Sequence, residues 1–178
     1  MILSFKTKID NRPTFFVEKI HAGLRDILNV HVEAEKHCTA DYNFIVEAHA
    51  RAKIHTIRTD KHERWHPGIM IDFFINARQK GMFRFAPRVP VISIQEIFMT
   101  ARGKMLEITV APPDQPMGSD EDVYLNHDQH LKLAVNDGFD SYYDFCSYFF
   151  NEIEKHGKET GNYWFKGILI HWTNYRYE

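Results

Sequence analysis

The chain has 178 residues, 44% hydrophobic and 26% charged, with a net charge of −2. These proportions suit one globular domain, and they exclude a chain-wide cationic field for nucleic acid, so any polyanion site has to be a local patch. Two cysteines in unrelated contexts, Cys38 and Cys146, exclude a cysteine-type zinc framework and fit a reducing cytoplasm, and no apolar run reaches the roughly 18 residues of a membrane span.

In chain order, residues 2–9 alternate, with Leu3, Phe5, Thr7 and Ile9 on one face, which predicts a half-buried strand. Asp10-Asn11-Arg12 is a turn. Pro13 suits the first position of a helix, where its missing N–H costs nothing. Phe16, Val17, Ile20 and Leu24 recur at helical spacing, and Gly23 is the expected end of that helix. Residues 24–52 show no single face until Phe44, Ile45, Ala48 and Ala52, which predict a helix over 41–52 capped by Asp41. A strand is expected to begin at about Thr56. On it Thr56 and Arg58 share one face and Ile57 takes the other. Lys53 can meet Thr56 only if the chain turns near Ile54 and His55.

Residues 69–75 read as a buried strand, 76–81 as a polar turn and 82–85 as a short strand. Residues 91–100 are β-rich, with Val91, Ser93, Gln95, Ile97 and Met99 on one face. A turn at 101–104 leads into a strand over 105–110, and 111–122 is an acidic loop with three prolines. A short helix over 127–136 is predicted with Leu131, Ala134 and Val135 inward, closed by Asp137-Gly138. Ser141-x-x-Asp144 has the form of a capping box for a helix whose stripe is Tyr142, Phe145, Cys146, Phe149, Phe150 and Ile153. A loop over 156–161 and a final strand over 163–172 complete the chain. Strands and helices without a regular βαβ rhythm predict an α+β fold with a small barrel-like sheet.

His62-Glu63-Arg64-Trp65-His66 matches His-Glu-x-x-His, but Pro67-Gly68 cut off the helix that a zinc protease needs there, so no metal is expected. His127 and His130 stand three apart without an evident third ligand. Neither a glycine-rich phosphate loop nor a nucleophile elbow occurs, and no cofactor is implied. The remaining chemistry is a lysine beside a threonine and an arginine. A threonine hydroxyl needs a base to become a nucleophile, and lysine serves when burial or nearby cations lower its pKa.

Lys53-x-x-Thr56-x-Arg58, followed by Arg64-Trp65-x-Pro67-Gly68, resembles the signature of the ASCH domain family, a branch of the PUA-like folds. The strand at Ser93-Ile94-Gln95-Glu96-Ile97, the segment Ala134-Val135-Asn136-Asp137-Gly138-Phe139 and the closing Ile170-His171-Trp172 are similar to that family's later motifs, in the same order. The resemblance implies a single domain over 1–178 built as a small mixed β-barrel flanked by helices. Residues 24–52 form an insertion atypical of the family. It further implies a cleft for RNA or a nucleoside. In one branch the cleft performs amide hydrolysis of N4-acetylcytidine, with Thr56 as nucleophile, Lys53 as its activator and Asp137 as the catalytic carboxylate where the family carries glutamate. Lys53 and Arg58 would meet phosphate or carbonyl oxygens, Arg64 is a further ligand-binding residue, and Trp65 or a nearby aromatic would stack on a base. The alternatives are a non-catalytic RNA-binding module and a protein-interaction domain that uses the 24–52 insertion.

Overall fold

The computed structural model describes residues 1–28 and 51–178. In chain order its elements are β1 (Ile2–Phe5), β2 (Lys8–Ile9), β3 (Arg12–Pro13), α1 (Phe16–Leu28), β4 (His55–Arg58), β5 (Met70–Ile75) and β6 (Phe83–Arg84). They continue with β7 (Val89–Pro90), β8 (Ser93–Arg102), β9 (Met105–Val110), β10 (Val123–Tyr124), α2 (His127–Asn136), α3 (Tyr142–Thr160) and β11 (Trp164–His171). The predicted helix over 41–52 and most of the 24–52 insertion lie outside the described residues.

The fold is α+β, as expected. An antiparallel sheet runs β10-β9-β8-β11-β4, and β1 pairs parallel with β5, which also carries β6 and β7. Among the described residues these sheets do not close into a barrel. Each face of the five-stranded sheet meets its own core. Ile57, Leu169, Ile97 and Met99 point to the face covered by Phe145 and Phe149 of α3. Ile170 of β11 points to the opposite face, with Trp172, Phe5, Phe73, Phe85 and Ile20. The alternation in β8 places Ser93, Gln95, Ile97 and Met99 on one buried row, as the sequence predicts.

Several boundaries differ from expectation for identifiable reasons. Pro13 lies in β3 opposite Lys8, not at a helix start, because Asp10 and Asn11 both take positive φ and close a hairpin between β2 and β3. The helix begins at Phe16, whose N–H is received by Thr14 Oγ1 at 3.4 Å. It does not end at Gly23 but runs through it, since Gly23 is the point where the Lys53 carbonyl packs against α1. Helix α2 keeps its predicted bounds, yet turns His130, Leu133 and Ala134 inward and leaves Leu131 exposed. The loop expected over 156–161 is helical to Thr160: Gly157 continues α3 and leaves room for the Tyr163 ring, and Gly161 supplies the left-handed cap. The short strand β10 carries no signal that the periodicity could show.

Candidate functional site

Strand β4 is the edge of its sheet, paired to β11 with Thr56 opposite Ile170 and Ile57 opposite Leu169. Thr56 therefore faces the core of Phe5 and Trp172, and Arg58, two residues on, takes the same face. Ile57 faces α3, as the alternation predicts. Its N–H points away from β11, off the edge of the sheet, where Asp137 Oδ1 accepts it at 3.2 Å.

Asp137 follows the last residue of α2, and its own N–H caps the Leu133 carbonyl. The same Oδ1 that takes the Ile57 N–H receives the Lys53 ammonium at 2.6 Å, across 84 positions of sequence. Lys53 Nζ also donates to the Asp137 carbonyl. Lys53 is held by its backbone, its N–H bonding the Lys19 carbonyl on α1 at 3.0 Å, while Ile54 N–H bonds Asn136 O at 3.0 Å. The turn expected at Ile54 and His55 is thus a short crossing between α1 and the end of α2.

Lys53 and Thr56 are each 1% exposed and Asp137 6%. Burial pulls the Lys53 amine down to about 8, helped by Arg58 and Lys19 and opposed by Asp137. Burial raises the Asp137 carboxyl above its ordinary value, against the pull of Lys53, Arg58 and the Ile57 N–H. The two shifts have one cause: a desolvated pair favours its neutral members. The amine lies 4.9 Å from the Phe16 ring centroid and 5.8 Å from that of Phe5. It therefore faces the same core as Thr56. Among the described residues no hydrogen bond joins Thr56 to Lys53 or Asp137.

Arg58 stands alongside, half-buried. Its Nη2 donates to Ser4 O at 3.0 Å, and its guanidinium lies 5.2 Å from the centroid of the Phe5 ring. Arg64 and Trp65 are not part of this centre. Arg64 is exposed, and Trp65, 7% exposed, packs in the core of Phe73 and Trp172 while its edge lines a separate cavity. Residues 62–66 are not helical, so His62 and His66 do not stand one helical turn apart.

Sequence reasoning missed three neighbours. Lys19 is buried on α1 and bonds Gly138 O at 2.8 Å and Asp140 Oδ1 at 2.7 Å. His55 is fully buried, and burial holds it neutral, well below its ordinary pKa. Its Nε2 meets Tyr177 Oη at 2.8 Å, which accepts from Asn136 Nδ2 at 3.0 Å. His55 Nδ1 lies 3.9 Å from Asp137 Oδ1 and has no hydrogen-bond partner among the described residues. A lysine on the inward side of α1 was the one available signal for Lys19.

Two cavities flank this region, and neither is lined by Lys53, Thr56 or Asp137. The smaller, about 70 Å³, lies between the β2–β3 hairpin and α3 and has Phe16, Gly138 and Tyr148 in its wall. Lys53 is directly behind that wall: a Cβ on Gly138 would come 2.9 Å from Lys53 Cδ and 3.0 Å from the Phe16 ring. The larger, about 720 Å³, lies beyond the end of β4. No described helix is long and apolar enough to cross a membrane. Comparison with family models, curated proteins and solved structures found no match to the chain.

Proposed function

We propose that this protein is an ASCH-type, PUA-like domain that takes a nucleobase-containing ligand and hydrolyses its amide, as in an N4-acylated cytidine. The observation that carries this reading is the Lys53–Asp137 contact, with the amine brought to about 8 at a buried site shared with Arg58. A lysine of that pKa is a usable base near neutral pH. In the reaction the neutral Lys53 amine takes the Thr56 hydroxyl proton as Oγ1 attacks the acyl carbon. The C–N bond then breaks, and the Lys53 ammonium returns the proton to the departing N4. The acyl group stays on Thr56 as an ester. Water, losing its proton to Lys53, releases the carboxylic acid and restores the hydroxyl. Asp137 holds the amine in place, and Arg58 meets a carbonyl or phosphate oxygen of the ligand.

The smaller cavity is the entrance under this reading, because Lys53 packs against Gly138 and Phe16 in its wall. It holds about two waters at roughly 30 Å³ each. A nucleoside therefore enters only if Phe16 and the β2–β3 hairpin swing outward. A second reading is favoured by one observation: Asp137 Oδ1 takes both Lys53 and the edge N–H of Ile57, which is how a purely structural clamp would look.

Turnover of N4-acetylcytidine separates the two. The hydrolase reading expects turnover that falls at least about a hundredfold in Lys53→Ala and in Thr56→Ala, each checked for folding by circular dichroism. Activity that survives both changes removes these residues from the chemistry. A folded wild-type protein without turnover leaves the clamp. Affinity for single-stranded RNA that falls steeply with salt, again without turnover, marks a binding module.

A further inference from the structure

The larger cavity follows from a mismatch in strand length. β11 pairs with β8 along Trp164–His171, but β4 covers only Ile168–His171. Among the described residues the first half of β11, Trp164–Gly167, therefore has a strand neighbour on one side only. Successive side chains of a strand point to opposite faces, so a cavity against one face touches every second residue. Here Trp164, Phe165, Lys166, Gly167 and Ile168 all line the cavity, so it reaches the open edge of the strand as well as the face on which Lys166 meets Glu96 of β8. The Ile57 N–H points off the sheet, so Arg58 bonds inward to its partner Ile168. By the period of two, the Lys166 N–H and C=O then point outward into the cavity.

We infer that this edge is a docking site for an extended, basic peptide segment of a partner protein, added as a strand beyond the end of β4. Main-chain pairing would supply affinity, as in other strand-addition complexes. The open edge spans about 13 Å at about 3.3 Å per residue, enough for about four peptide residues. The groove lies between the second half of α3 and the loop after β4. Its charge selects the occupant. Glu96 is paired with Lys166 at 3.1 Å, and Asp114 caps the Ile94 N–H at 2.9 Å. Asp60 caps the Trp65 N–H at 2.8 Å. Glu63, Glu152 and Glu159 then outnumber Lys61 and Lys155 in the lining, an acidic balance that favours lysine or arginine on the guest. Trp164, with His156 4.3 Å away ring to ring, gives an apolar wall for the alternate side chains.

The test uses the full chain and a fluorescent hexapeptide of alternating lysine and valine, with three comparison peptides. One has glutamate for lysine, one is scrambled with lysines in a block, and one is N-methylated at every second residue. The proposal expects saturable binding of the alternating basic peptide, at least tenfold weaker binding of the acidic and N-methylated forms, and loss of binding in Lys166→Pro. Proline there removes an outward N–H but no bond to β8. N-methylation changes only the guest, so the result stands even if Lys166→Pro does not fold. Equal binding of the N-methylated and unmodified peptides overturns the proposal. So does preference for the acidic or blocked sequence, no binding at millimolar peptide, or a concentration-dependent dimer abolished by Lys166→Pro.

Discussion

Lys53→Met is expected to destabilise the fold by about 3–5 kcal/mol near neutral pH, read by urea unfolding. The substitution keeps the length of the side chain and leaves Asp137 as a buried carboxylate without its cation. Both groups are almost wholly buried, so water does little to screen the loss. Asp137→Asn added to Lys53→Met is expected to recover much of that stability. The amide oxygen still receives the Ile57 N–H, while the uncompensated charge is gone. The pH dependence has a definite sign. Asp137 is already raised above its unfolded value, and losing Lys53 raises it further. Where the folded state binds the proton more tightly than the unfolded one, stability falls as pH rises through the interval between the two values. Lys53→Met is therefore least stable above the folded pKa of Asp137 and recovers in mild acid, whereas the double variant lacks this dependence. A cost below about 1 kcal/mol for the single change, or no recovery in the double, contradicts a buried ion pair.

Gly23→Ala is expected to lower stability by about 2–3 kcal/mol, or about 4–12 °C in Tm for a chain of this size. The sign makes the prediction useful. Alanine in place of a mid-helix glycine ordinarily stabilises by about 1 kcal/mol. Here a Cβ would stand 2.4 Å from the Lys53 carbonyl oxygen and 3.2 Å from its carbon. That oxygen belongs to backbone fixed on both sides, by Lys53 N–H on Lys19 O and by Ile54 N–H on Asn136 O. The segment has no free rotor with which to yield, so the collision moves Lys53 itself. Stabilisation by Gly23→Ala, measured by thermal unfolding, would show that α1 and the Lys53 segment do not pack this closely.

The local pattern of the sequence carried the strand at the site. Thr56, Ile57 and Arg58 alternate as a half-buried strand must, β8 announces itself by its period, and α2 shows its bounds but not its buried face. The partner of Lys53 was not in that pattern. Asp137 is remote in sequence and came from the order of short motifs in the ASCH resemblance. The wrong expectations fall where tertiary packing overrides local preference. Gly23 looks like a helix end and Gly157 falls in an expected loop, yet each is the small residue that lets another segment approach a continuing helix. Pro13 looks like a helix start because it follows a turn, but the left-handed Asp10 and Asn11 make that turn a hairpin, which pairs Pro13 with Lys8. Trp65 reads as a stacking surface, but it is mostly enclosed in one core with Phe73 of the next strand and Trp172, which follows β11 more than a hundred positions later. His55 and Tyr177 meet through the C-terminal residues, which follow no period that could predict their path.

Everything proposed for the buried centre turns on whether the Lys53 amine gives up its proton near neutral pH. Heteronuclear NMR of the lysine side-chain ε carbons, titrated in the folded protein and assigned with Lys53→Met, reads this directly. A midpoint at about 8, well separated from the other lysines, is the expected result. A midpoint near the ordinary 10.5 would mean an amine that stays charged beside Asp137, available as a clamp and unavailable as a base.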